Sequence, residues 1–227
     1  MNKLTPLLVL VFLSMAITSC SDKDSVTVDA SSYYPLSSGK SWIYNVKEEI
    51  YLASQSKPTL KDYQEKDEVI AVNSNSAGTT TYMMTRSQRS KATDSWELIK
   101  SFSVEKYPDK ILTTIDNKIF MTLIVPINPS TEWNVNSYNT LDPVLRKYQD
   151  IGVASNILGK PIENTMTVTE EPEDTLLSLV KKNIVYGFNY GILYEENIDF
   201  VYCQDDDCIG QKIVESGSSK IRTLVLE

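Results

Sequence analysis

The chain has 227 residues, with 30 acidic against 22 basic side chains, no histidine and a net charge of −8. That balance repels nucleic-acid phosphates and anionic lipid surfaces, so neither is an expected partner of the folded body. Without histidine there is no Ser-His or Cys-His catalysis and no histidine-bound metal, which excludes most hydrolase mechanisms.

The first element is an export signal. Met1-Asn2-Lys3 supplies a short cationic start, Leu4 to Ile17 an apolar run of 14 positions, and Thr18-Ser19-Cys20 a small-residue junction. The run is interrupted by Thr5, Pro6 and Ser14 and falls short of the roughly 20 apolar residues of a membrane span. This reads as a lipoprotein signal over residues 1–19, with a diacylated Cys20 as the mature terminus. Cleavage there leaves 208 of the 227 residues, enough to bury a full core in one domain. Ser21 to Ser32 is polar and acidic and reads, with Cys20, as a tether over residues 20–32 that spaces a single β-rich domain, 33–227, from the bilayer.

From Tyr33 onward the pattern is β-structure. Trp42-Ile-Tyr-Asn-Val, Thr79 to Thr85, Trp96 to Val104, Ile111 to Ile115 and Lys118 to Val125 are short runs rich in β-branched and aromatic residues. Several alternate apolar with polar, the mark of a sheet with one wet face. Tyr51 to Gln64 lacks a period and reads as a solvated excursion. After Pro126 a looser stretch runs to about Gly159, where Asp142-Pro143 could cap and start a short helix. Strands resume at Thr165 to Thr169, Asn183 to Gly187, Gly191 to Glu196, Asp199 to Tyr202, Gln211 to Val214 and Lys220 to Leu226, while Leu176 to Lys182 fits helix or strand. The predicted fold is mostly β, a single curved antiparallel sheet with one or two short helices; a β-sandwich is the alternative.

Cys203 and Cys208 bracket a polar tip, Gln204-Asp-Asp-Asp207, and fall at facing positions of a predicted hairpin. In an oxidising compartment they read as a disulfide that closes a short loop and contributes about 2 kcal/mol. Two cysteines and no histidine are too few ligands for structural zinc, and a four-residue acidic tip cannot by itself supply the oxygens calcium needs. No phosphate-binding glycine loop, dinucleotide fingerprint or G-x-S-x-G is present, so no cofactor is expected. The clustered acids Glu170-Glu171, Glu195-Glu196 and Asp205 to Asp207 are the remaining catalytic candidates. Neighbours on a strand face opposite ways, so such pairs read as solvated surface.

Two blocks carry a resemblance. Tyr33-Tyr-Pro-Leu-Ser-Ser-Gly-Lys-Ser-Trp-Ile-Tyr-Asn-Val46 resembles the Y-x-P-L-x-x-G-x-x-W-x-Y-x-V opening of exported bacterial lipoproteins, and Asn183 to Glu196 resembles their strand-turn-strand segment. Val125 to Val135 resembles their middle P-x-x-x-G-x-x-W segment, with Ser and Thr where glycine is usual. The Cys-Ser-Asp start is similar to that of Bacteroidota lipoproteins. The resemblance implies a LolA-like half-barrel, an outer-membrane lipoprotein on the periplasmic face or cell surface, and no assigned activity.

The expected function is a non-catalytic, lipid-anchored envelope protein that binds an apolar, peptide or glycan ligand, or an envelope protein, on its curved sheet. A purely structural component is the alternative, and a carboxylate-based glycan hydrolase the third reading. Trp42, Tyr44, Trp133, Tyr186 and Tyr190 are the candidate ligand-facing aromatics; core packing accounts for the same residues. Mass spectrometry of membrane-extracted protein should show cleavage after Ser19 and a lipid-sized addition on Cys20, with processing blocked in Cys20→Ala. A native terminus elsewhere would overturn the anchor.

Overall fold

The computed structural model describes residues 30–76 and 78–226. Cys20, the signal segment and the tether up to residue 29 lie outside the described residues. Among the described residues a single short helix, α1 (Ala30–Tyr33), is followed by strands β1 (Ser41–Tyr51), β2 (Thr59–Ser74), β3 (Thr80–Arg89), β4 (Glu97–Lys106), β5 (Lys110–Ile115) and β6 (Lys118–Ile124). After them come β7 (Glu132–Asn134), β8 (Leu145–Ile157), β9 (Lys160–Glu170), β10 (Glu173–Asp174), β11 (Ser178–Gly187), β12 (Gly191–Tyr202) and β13 (Val214–Leu224).

All the strands belong to one antiparallel sheet, ordered β6-β5-β4-β3-β2-β1-β13-β12-β11-β9-β8-β7, with β10 paired on β11. The expected single curved sheet is therefore present, and the sandwich alternative is not. Each strand except β10 lies beside its sequence neighbours, and β13 returns to pair with β1 from Tyr44↔Leu224 to Tyr51↔Gly217. The path is an up-and-down meander whose first and last strands meet.

The sheet curls further than a half-barrel. Its two ends, β6 and β7, come together through Met121 N–H donating to Val135 O at 2.9 Å. Side chains complete the seam. Trp133 Nε1–H donates to Met121 O at 2.9 Å, Asn139 Nδ2 donates to Ile119 O at 2.8 Å, and the Tyr148 hydroxyl donates to Ile124 O at 2.7 Å while accepting Ile124 N–H at 2.9 Å. The Trp133 and Tyr148 rings lie 4.7 Å apart, centre to centre. The ring is thus nearly a closed barrel, and its open edges are covered where an uncovered edge would invite pairing with another chain.

Alternation sets the core. Trp42, Tyr44 and Val46 of β1 are buried, as are Met166 and Val168 of β9, Ile184 and Tyr186 of β11 and Leu193 of β12. Residues 30–40 fold across the end of the ring that holds Ser41, Gly191 and Leu224. Ala30 and Tyr33 are buried there, Tyr33 packs edge-on to Phe188, and Asn189 N–H donates to Ser32 O at 2.7 Å. Residues 30–32, read from sequence as tether, therefore belong to the body.

Several local expectations change. Asp142-Pro143 starts no helix: the segment runs extended into β8, and Asn134 Oδ1 accepts Val144 N–H at 3.0 Å. β8 was hidden because its register jumps from Gln149↔Thr167 to Val153↔Thr165, with Asp150 and Gly152 at positive φ, so the alternation breaks mid-strand. Leu176 to Lys182 resolves to the β10–β11 turn and strand β11, with Thr175 Oγ1 accepting the N–H groups of Leu177 and Ser178. The excursion after Tyr51 ends early, because Thr59 to Gln64 already pairs with β1.

Cys203 and Cys208 form the disulfide, with Cα atoms 5.8 Å apart. They are not facing residues of a hairpin. β13 begins at Val214, opposite Tyr202, so Ile209 to Ile213 is turn and the bond closes a loop hung on the end of β12.

Gly217 shows how tightly β13 is fitted. It sits in β13 at φ +120°, and a Cβ there would lie 2.0 Å from Asp199 O, a backbone atom that cannot step aside. Gly217→Ala should cost about 3 kcal/mol, measured by denaturant unfolding. Gly210→Ala, at φ +80° with open space around it, should cost only about 1 kcal/mol. Equal effects would show that the close approach is unimportant.

Candidate functional site

The interior of the ring carries charge. Successive inward residues of β2 are Glu65, Asp67 and Val69, and opposite them stand Arg86 of β3, Glu195 of β12 and Arg222 of β13. Glu65 is 1% exposed and Arg222 3% exposed, so both are removed from water and must be paired.

Arg222 is the hub. Its Nη2 donates to Asp67 Oδ2 at 2.9 Å, its Nη1 donates to Glu195 Oε2 at 2.9 Å, and its Nε lies 2.8 Å from Glu65 Oε2. The last contact is an ion pair without hydrogen-bond alignment. The guanidinium also lies over the Tyr44 ring, 4.2 Å from its centre. Arg86 grips Asp67 with two bonds, Nε to Oδ1 at 2.6 Å and Nη2 to Oδ2 at 2.8 Å. Lys220 donates to Glu65 Oε1 at 2.7 Å. Three cations thus face three carboxylates, and the lattice is neutral.

This balance fixes the protonation states. Burial alone would raise the pKa of Asp67, but Arg222 and Arg86 outweigh it and hold the carboxyl below its usual range. Burial also acts against the Glu195 carboxylate, yet Arg222, Lys182 and Arg86 pull its pKa down to about 2. Arg222 itself is pushed the other way, well above its ordinary value: burial would lower it, and Asp67 and Glu195 dominate.

Next to the lattice lies a cavity of about 540 Å³. One side is the charged wall of Asp67, Arg86, Glu195 and Arg222; the other is apolar and includes Phe102, Ile115, Phe120, Val144 and Ile184. Arg146 and Glu170, joined by bonds of 2.6 and 2.9 Å, form a second ion pair in its lining. Tyr34, from the segment that crosses the capped end, lies edge-on to Tyr186 at 6.3 Å and floors the space. Exposed Asp116, Lys118, Leu141 and Asn197 mark the mouth, at the end of the ring away from α1.

The five aromatics singled out from sequence divide among four places. Only Tyr186 lines this cavity. It is fully buried, burial raises its pKa far above the ordinary tyrosine range, and its hydroxyl has no partner among the described residues. Trp133 is a seam residue. Tyr44 supports Arg222 from below. Trp42 is 6% exposed and donates Nε1–H to Tyr190 O at 2.6 Å, while the Tyr190 side chain faces outward beside a separate groove.

The Trp42–Tyr190 bond also explains the two resembling blocks, which meet in space. Gly191 sits at φ +93°, and a Cβ on it would come within 3.2 Å of the indole nitrogen. Gly187, four residues earlier, has ordinary φ; what it lacks room for is a Cβ, 2.7 Å from Leu193 Cδ1. The left-handed residue of that turn is Asn189.

Sequence reading missed Glu65, Asp67, Arg86, Arg146 and Arg222, and treated Glu170 and Glu195 as surface. The opposite-face argument does hold: Glu195 turns inward, while Glu196 pairs with Lys181 at 2.8 Å. Which face is inward is decided by pairing. Buried Val46 lies opposite Arg222 across the β1–β13 ladder, a contact visible only once the first and last strands are joined. At the disulfide loop, Cys203, Asp205 and Cys208 lie together, but both sulfurs are spent on each other, leaving one carboxylate and no ligand set.

Because Asp67 and Glu195 have depressed pKa values when folded, their contribution is present above the ordinary carboxylate range and is lost as pH falls through the folded values. The thermal midpoint should hold near neutrality and drop as pH falls from about 4.5 toward about 2 for Glu195. Glu195→Gln should flatten that slope. A wild-type midpoint unchanged across this window would contradict the lattice as described.

No protein-family model matches the chain, and no curated protein is similar to it. Among solved structures, a Bacteroides fragilis protein with a YmcC-like fold is similar at a TM-score of 0.43 and 10% identity, over 84% of this chain and 97% of that one.

Proposed function

We propose that this protein is a non-catalytic, lipid-anchored component of the cell envelope that binds a small ligand inside its barrel. The observation that carries this reading is the interior cavity of about 540 Å³, half charged and half apolar, with its mouth away from the capped end. Binding sites are usually concave and largely apolar, with a few placed polar groups. A purely structural component would gain stability by filling such a space with its own side chains, so the open interior favours binding over that alternative.

The same site argues against hydrolysis. A general acid must hold a proton near neutral pH. Asp67 and Glu195 are held ionised by arginine, and Glu170 is bonded to Arg146.

The envelope address rests on the Cys20 reading. The described residues begin at Ala30, at the capped end. An anchor on that side would turn the mouth away from the bilayer, toward whatever the compartment supplies.

Plugging the cavity tests the reading. Ile115→Trp places a large ring in the lining while keeping every residue of the charged lattice. Protein extracted from producing cells and examined by native mass spectrometry should carry a non-covalent small molecule in the wild type, and none in Ile115→Trp of the same fold. Identical spectra, together with full rescue of a deletion strain by the plugged variant, would support the structural alternative instead.

A further inference from the structure

The ionic groups around the cavity are unevenly satisfied. Asp67 takes both Arg86 and Arg222, Glu195 takes Arg222, Glu170 takes Arg146, and Asp116 at the rim takes Lys100 at 3.0 Å. Every carboxylate in the lining is matched. The amines are not. No carboxylate among the described residues pairs with Lys118, and Lys182 approaches Glu195 only to 3.8 Å, beyond hydrogen-bond reach. Lys118 stands exposed at the start of β6 and Lys182 half-buried on β11, and both line the cavity. A protein of net charge −8 therefore presents two under-paired ammonium groups at its one described charged and apolar interior.

We propose that the cavity takes an amphiphilic anion. Its apolar body lies against Phe102, Phe120 and Ile184, and its carboxylate or phosphate head stays between Lys118 and Lys182. The proposal rests on the binding reading above and adds the class of ligand. Placing the head at the mouth keeps it partly hydrated, which avoids most of the cost of burying a charge. An anion driven deeper would upset a lattice that is already neutral. A cationic head would meet the two ammonium groups with no free carboxylate to receive it. A wholly polar ligand would strip water from its own groups against the apolar wall without hydrogen bonds in return.

Photocrosslinking on the full chain in isolated membranes tests this. Three probes share one dodecyl chain carrying a diazirine and differ only in the head: a carboxylate, a trimethylammonium and an uncharged glucoside. Mapping by peptide mass spectrometry should place the carboxylate probe on interior residues such as Phe102, Phe120 and Ile184. Joint replacement Lys118→Glu and Lys182→Glu should cut that labelling about tenfold and raise labelling by the ammonium probe. The milder pair Lys118→Gln and Lys182→Gln should lie between, and serves if the charge-reversed chain does not fold. Equal interior labelling by all three probes, or no effect of either pair, would overturn the anion preference while leaving the binding reading intact. Interior labelling by none of the probes would overturn both.

Discussion

A buried guanidinium organises this protein. Arg222 has no water to solvate it, so three carboxylates from β2 and β12 must converge on it, and the strands that carry them must keep a register that brings them there. Removing one partner of such a group leaves the others uncompensated, at a cost of about 3–5 kcal/mol. Arg222 lies on the last strand and Glu65 and Asp67 on the second. The lattice therefore ties β2 to β13 across β1, alongside the backbone ladders.

A ring of this many strands encloses more volume than its inward side chains fill. Here the excess is divided. One part is occupied by the ion lattice, one by the Trp133–Tyr148 seam and its apolar neighbours, and the remainder is the cavity. Polar interior groups keep the space from collapsing, because moving them into apolar contact would strip bonds that nothing else replaces. The open volume and the buried charges are thus two aspects of one packing solution.

The sheet was legible in the sequence because β-branched and aromatic runs alternate with polar residues, as in Trp42 to Val46 and Thr165 to Thr169. β8 was not, because Asp150, Ile151 and Gly152 stand opposite the single residue Met166, and a second irregularity between Val153 and Ser155 breaks the alternation again. The site was legible only at Tyr186. An alternating strand has two faces, and composition identifies the inward one only when that face is apolar; on β2 the inward face carries Glu65 and Asp67, and so reads as solvent-facing. The tryptophans misled for a related reason. Trp42 and Trp133 each spend the indole N–H on a backbone carbonyl, a role set by the partner strand rather than by neighbours in sequence.

The pairing of β1 with β13 has a consequence for how the chain comes into being. Synthesis runs from the N-terminus, so β1 is available long before its partner. Until Leu224 emerges, β1 lacks one neighbour, Glu65 and Asp67 lack their shared cation, and the ring cannot shut. The ring therefore closes only after β13 has been made. A chain with this topology stays open until β13 is made and locks when that strand takes its place beside β1.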